Sequence, residues 1–133
     1  MVVSAGVILR DGLVLVGQRR KGDKHSLKWE FPGGKVEFGE TPQQALVREL
    51  REELLIEATI GNELARYEHN YPSGSRVHLL FFFVGHFAGE PLARVFEQIQ
   101  WRELRSLPEM DFLEGDLDFV RRLASGELTA RMQ

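Results

Sequence analysis

Residues 31 to 54, FPGGKVEFGETPQQALVRELREEL, join a glycine-dense turn to a helix whose start is marked by three agreeing signals. Thr41 is an N-cap type, Pro42 suits the first helical position, and Gln44 is the matching partner for a capping box. At about 100° per residue, Leu46, Val47, Leu50 and Leu54 fall along one edge of this helix, while Glu49, Glu52 and Glu53 share an adjacent arc of roughly 100°. The helix therefore docks through one edge and carries acid along the next. Two carboxylates about 4 Å apart repel by ~4 kcal/mol at an effective dielectric of 20, which Arg48 alone does not offset. The chain has no cysteine, so any metal must be held by oxygen or histidine nitrogen. Carboxylates and carbonyls suit Mg²⁺ or Mn²⁺, which bind substrate phosphates in their remaining positions. The competing reading of the same run is a solvated acidic face with Arg48 and Glu52 as an ordinary i, i+4 pair.

A length of 133 residues fits one domain, 1–133. With 43% hydrophobic and 28% charged residues, the chain is no disordered polymer. The longest apolar run, Leu79 to Val84, falls far short of the ~20 residues that span a bilayer, and no signal-type segment opens the sequence, so no membrane partner and a cytoplasmic location are expected. A net charge of -3 gives no general attraction to nucleic acid, and no stable nucleic-acid partner is expected. The stretch Arg19 to Lys28 is nonetheless basic, as a solvated loop or as a phosphate-facing one.

Val2 to Leu9 and Leu13 to Gly17 read as strands joined at Asp11-Gly12, a hairpin turn signal. A second hairpin is expected from Tyr67 to Phe87 around PSGS at 72–75, with VHLLFFFV as a strand buried on both faces. Ile99 to Leu104 reads as a further short strand. Leu117, Val120 and Leu123 give the 116–123 stretch helical spacing, and the last eight residues, from Gly126, read as loose.

Gly34, five residues, Glu40, seven residues and then RELREELLI resembles the Nudix box, whose pattern is Gly, five residues, Glu, seven residues, Arg-Glu-apolar-any-Glu-Glu-any-Gly-apolar. Every charged position agrees over the 23 residues from Gly34 to Ile56. One departs, because Leu55 stands where the family has a glycine near the helix end, a place that usually needs a positive φ. The resemblance implies a mixed β-sheet between helices, an α/β/α sandwich. It also implies that Glu49, Glu52 and Glu53 bind metal with the carbonyl of Gly33, that Arg48 orients the glutamates with Glu40 behind them, and that Lys35 reaches a substrate phosphate.

QRR, WEFPGGK, GETPQQALVREL and FLEGDLDFVRRL are further similar to the MutT branch, which hydrolyses nucleoside triphosphates to monophosphate and pyrophosphate. The substrate implied is a nucleotide. Arg20 matches an arginine near the nucleotide in that branch. Asp116 matches a base-reading Asn or Asp, although it could instead cap the last helix. An ionised Asp only accepts hydrogen bonds and would favour an exocyclic amine, as in cytosine or adenine. Phe81 and Phe83 are candidates to stack on the base or simply to fill the core. Glu97 is the candidate for a further catalytic glutamate, because Gln100, directly before Trp101, cannot act as a base. Hydrolysis of ADP-ribose, dinucleoside polyphosphates or nucleotide sugars, and a catalytically silent nucleotide sensor, are the alternatives on the same fold.

Overall fold

The computed structural model describes residues 1–133, all of the chain. Strands β1 (Val2–Arg10) and β2 (Leu13–Gln18) form the expected hairpin, with φ of 53° at Asp11 and 78° at Gly12. Two consecutive positive φ values are what a two-residue hairpin turn needs to match strand twist. After the short strands β3 (Trp29–Glu30) and β4 (Gly33–Lys35) comes helix α1 (Pro42–Leu54). Its capping box is complete: Gln44 N–H donates to Thr41 Oγ1 at 3.1 Å, and Thr41 N–H donates to Gln44 Oε1 at 2.9 Å.

β5 (Glu57–Thr59) leads into β6 (Glu63–Asn70) and β7 (Arg76–Val84), the second hairpin. β8 (His86–Ala88) pairs with β5 in a separate two-stranded sheet that is too short to leave a sequence period. β9 (Gln98–Glu103) and helix α2 (Leu117–Ala124) follow. β1 runs parallel to β7 over its length, from Val2 beside His78 to Ile8 beside Val84, which makes the main sheet mixed. On its other side β1 takes β4 first and β2 afterwards, and β2 continues the sheet to β9 and β3. Where β1 parts from β4 and turns to β2, the sheet splits open.

The two faces of this sheet carry two cores. Leu46, Leu50 and Leu54 of α1 are fully buried against Ile8, Leu80, Phe82 and Val84. Phe119, Val120 and Leu123 of α2 pack on the opposite face with Val7, Val16, Phe31 and Phe81. The result is the α/β/α sandwich, with the strand at 77–84 buried on both faces from Leu80 to Phe82.

Two expectations change at chain ends and helix ends. The last eight residues are not loose: Leu128 is 1% exposed, Thr129–Arg131 form a 3₁₀ turn, and Arg131 Nη1 donates to the Leu64 carbonyl at 2.9 Å. One leucine in a polar tail has no period to reveal it. At the end of α1, Leu55 adopts φ 58° and ψ 37°, the left-handed conformation that glycine takes at this place in the box. A non-glycine residue there costs about 1–2 kcal/mol, more than the ~0.4–1 kcal/mol by which glycine loosens the unfolded chain. Because Leu55 is 46% exposed and contributes little packing, Leu55→Gly is expected to raise the melting temperature by a few degrees. A lower melting temperature by calorimetry would contradict that assignment.

Candidate active site

Arg48 ties the acidic helix to β4. Its Nε and Nη2 donate to the two oxygens of Glu40 at 2.7 and 3.0 Å, Nη2 also reaches the Lys35 carbonyl at 3.0 Å, and Nη1 donates to Glu49 at 2.9 Å. The same Nη1 stands 3.6 Å from Glu52. The guanidinium holds the Glu40 carboxyl down to about 2, so Glu40 stays ionised as the anchor of this fork.

Glycine is needed where β4 meets helix and sheet. A Cβ on Gly34 would fall 2.4 Å from the carboxyl carbon of Glu49, and one on Gly33 would fall 2.0 Å from the Ser4 carbonyl oxygen. The two glycines thus let a backbone segment lie directly against a carboxylate. Glu53 Oε1 accepts from the Gly33 N–H at 2.9 Å. Burial, and next the neighbouring charge of Glu30, push the Glu53 carboxyl up to about 8. Burial likewise raises Glu49, against the pull of Arg48.

These carboxylates crowd where they lack cations. Arg48 is committed to Glu40 and Glu49, and Arg19 to Glu30 at 3.2 Å. A set of carboxylates and carbonyls with surplus negative charge fits a hard divalent cation. No group of three His, Asp or Glu residues is drawn together into a finished ligand cluster, since Glu49 is turned to Arg48, Glu53 to the backbone of Gly33, and Glu52 to the exposed side of the helix.

Beside Glu53 a cavity of about 460 Å³ opens, with Glu30, Phe31, Phe81 and Asp116 among its walls. Phe81 is 1% exposed and stacks on Phe119 at a centroid distance of 3.8 Å, so it serves the core and offers the cavity little of its ring. Phe83 does not line the cavity. Asp116 is 7% exposed, and no hydrogen bond in the protein reaches its carboxyl. It directly precedes α2 but makes no capping bond there. Burial, followed by Glu30, pushes its carboxyl up to about 8. This shift favours the protonated form, which carries one O–H donor beside its acceptor oxygen, over the ionised acceptor.

Gly33, Glu53, Phe81 and Asp116 are brought together around this cavity, whereas Arg20, Lys35 and Glu97 lie off it, as do Glu40, Arg48, Glu49 and Glu52. Arg20 donates to the Arg94 carbonyl at 2.9 Å, Lys35 is exposed on β4, and Glu97 accepts from the Lys21 N–H at 3.2 Å. Gln100 is held between Gln98 and Arg102. Arg19 and Glu30 line the cavity without having been singled out as site residues. The available signal was a charged residue set between two aromatics in Trp29-Glu30-Phe31, a stretch too hydrophobic to leave a glutamate idle.

A family profile described as NUDIX domain matches residues 1–123. The chain belongs to the Nudix family. It is 36% identical over 122 residues to a protein of Haemophilus influenzae named 8-oxo-dGTP diphosphatase, covering 91% of this chain and 89% of that one. It is 44% identical over 99 residues to a CTP pyrophosphohydrolase of Escherichia coli, covering 74% and 73% of the two chains. Among solved structures, the E. coli ORF135 protein superposes with a TM-score of 0.87 at 34% identity, over 99% of this chain and 94% of that one. The Nudix helix is α1, and the split sheet beside it forms the cavity wall. No helix is long and apolar enough to cross a membrane.

Proposed function

We propose that this Nudix hydrolase, which converts (d)NTP-type substrates to nucleoside monophosphate and pyrophosphate, holds Mg²⁺ with Glu49, Glu52, Glu53 and the Gly33 carbonyl, and reads the base through Asp116. The observation that carries the base reading is the cavity itself: a carboxyl that takes no hydrogen bond within the protein opens into the same chamber as Glu53. Mn²⁺ is a chemically equivalent occupant. Bound there, such a cation supplies charge for the phosphates and lowers the pKa of water.

The chain's own groups have separable tasks. Arg48 holds Glu49 from one side and Glu40 from the other, and its bond to the Lys35 carbonyl ties the acidic face of the helix to β4. The Gly33 N–H orients Glu53. Lys35, exposed beside them on β4, is the phosphate ligand, and Arg20 and Glu97 belong to the loops outside the cavity wall.

A neutral Asp116 pairs with a base edge that offers a donor next to an acceptor. Cytosine does so with its exocyclic amine and N3, in line with the pyrophosphohydrolase named for CTP. 8-Oxoguanine does so with N7–H and O6, in line with the relative named for 8-oxo-dGTP. Guanine presents only acceptors on the N7/O6 edge that 8-oxoguanine uses. Its N1–H beside O6, and adenine's amine beside N1 or N7, satisfy the same pairing, so the ranking among bases follows the named relatives. We assign CTP and dCTP as the leading substrates and 8-oxo-dGTP as the second. Turnover of a panel of NTPs, dNTPs, 8-oxo-dGTP, ADP-ribose and a dinucleoside polyphosphate with Mg²⁺ tests this. The expected ranking puts cytidine nucleotides or 8-oxo-dGTP above dGTP, and fastest turnover of ADP-ribose or a dinucleoside polyphosphate would reject it.

A further inference from the structure

β6 lies at the end of the main sheet and pairs with β7 alone. At the hairpin, Tyr71 N–H donates to the Ser75 carbonyl directly across from it at 2.9 Å, which fixes the alternation along the strand. The backbone groups of Tyr67 and His69 therefore point to β7, opposite Leu79 and Val77, and those of Arg66, Glu68 and Asn70 point outward. The outward Leu64 carbonyl, farther back on this edge, is taken by Arg131 Nη1 at 2.9 Å. From Arg66 onward the edge is open. No hydrogen bond of the chain reaches the backbone of Arg66, Glu68 or Asn70, and all three residues are exposed. Charged side chains usually keep such edges apart. Here they alternate in sign, and Arg66 and Glu68 are held only by exposed ion pairs to Glu63 and Arg76 of their own hairpin.

We propose that this edge is an interface for a second copy of the chain, joined by a two-fold antiparallel pairing of β6 with β6 that sets Arg66 of each copy opposite Glu68 of the other. In that register both residue pairs exchange N–H···O=C bonds across the edge and satisfy the outward groups. Tyr67 falls on the two-fold axis. Sliding to the next hydrogen-bonded register in one direction sets Arg66 against Arg66, and in the other sets Glu68 against Glu68. Opposite charges across a strand pair stabilise it and like charges destabilise it, so the sequence of the edge selects one register and the same strand as its partner. A contact that uses the same patch on both copies closes at the dimer. β6 contributes no residue to the cavity beside Glu53, so the pairing governs assembly and not turnover.

Sedimentation velocity of the full chain tests this, from dilute protein up to about 1 mM, where even a millimolar dissociation constant populates the dimer. Wild type is expected to move toward twice its 15.2 kDa mass and no further. Arg66→Glu and Glu68→Arg, each alone, are expected to weaken association by about 10-fold or more, since each turns both symmetric contacts from opposite to like charge. Mixed in equal amounts, the two variants are expected to form a heterodimer as strong as the wild-type dimer, because one then carries two acids at the edge and the other two bases. Hydrogen exchange reads the unaltered chain: the amides of Arg66 and Glu68 should slow as concentration rises, while those of Tyr67 and His69, already bonded to β7, should not. Circular dichroism shows whether the variants are folded, and should either fail to fold, the wild-type exchange pattern decides alone. Monomeric wild type at the highest concentration overturns the proposal. So do single variants that associate as wild type does, a mixture that stays monomeric, growth beyond the dimer, or exchange at Arg66 and Glu68 that ignores concentration.

Discussion

Glu53→Gln is expected to lower kcat/KM on the order of a thousand-fold while making the metal-free protein more stable. The loss follows from removing one anionic ligand of a cation whose electrostatic contribution to phosphoryl transfer amounts to several kcal/mol. The gain follows from burial. Without metal, the Glu53 carboxyl is pushed up to about 8 from an ordinary 4.5, first by desolvation and then by Glu30. Between those two values the folded state binds more protons than the unfolded one, so stability falls as pH rises across that window. Glutamine keeps the acceptor for the Gly33 N–H and has no charge to bury. In chelator, the variant should therefore melt several degrees above wild type at pH 8, and the gap should close toward pH 5. Calorimetry in chelator at the two pH values, with turnover in Mg²⁺, measures both halves. A variant with full activity, or one that melts lower than wild type at pH 8, would remove Glu53 from the metal site. The pattern is that of a site whose acidic groups are held at a cost to stability for the sake of a ligand.

Replacing Asp116 is expected to reorder substrates. Leaving a buried base donor or acceptor without a partner costs about 1–3 kcal/mol, or roughly 5- to 150-fold in selectivity. Asp116→Ala should therefore flatten the preference among four nucleotides and spare metal-dependent hydrolysis. Asp116→Asn retains a donor and an acceptor, and should preserve the ranking near pH 7. The two proteins separate as pH rises. The wild-type carboxyl, pushed up to about 8 by burial and by Glu30, loses its O–H above that value and becomes an acceptor only. Wild-type selectivity should then change between pH 7 and 9, whereas that of Asp116→Asn should stay flat. If Asp116 merely supported α2, both replacements would change kcat/KM by the same factor for every base, and such a uniform change would end the base-reading assignment.

Much of this was legible in the residues. The capping triad at Thr41, Pro42 and Gln44 located the start of the Nudix helix, because local hydrogen-bond chemistry there needs no tertiary partner. The stripe of Leu46, Leu50 and Leu54 showed which edge is buried, and the adjacent stripe of glutamates showed where the acid faces. The spacing of the box even flagged Leu55, which does adopt the left-handed conformation that its family's glycine provides. What stayed hidden depends on long-range packing. Leu128 is buried in the core cluster that also holds Leu64, and Arg131 bonds the Leu64 carbonyl, so nothing local foretells it. β5 and β8 are three residues each and stable only as a pair. Glu30 reads as a lone acid in a short strand until the fold sets it beside both Glu53 and Asp116. The charge state of Asp116 was out of reach for the same reason, since it depends on burial and on Glu30.

The central claim is that this chain splits a nucleoside triphosphate between its α- and β-phosphates, using the acidic face of α1 and a divalent cation. Phosphorus NMR of CTP incubated with the protein and Mg²⁺ tests it most directly. The expected spectrum shows CMP and pyrophosphate appearing together in equal amounts, and no reaction in excess chelator. CDP with inorganic phosphate as the main products, or undiminished turnover in chelator, would contradict it.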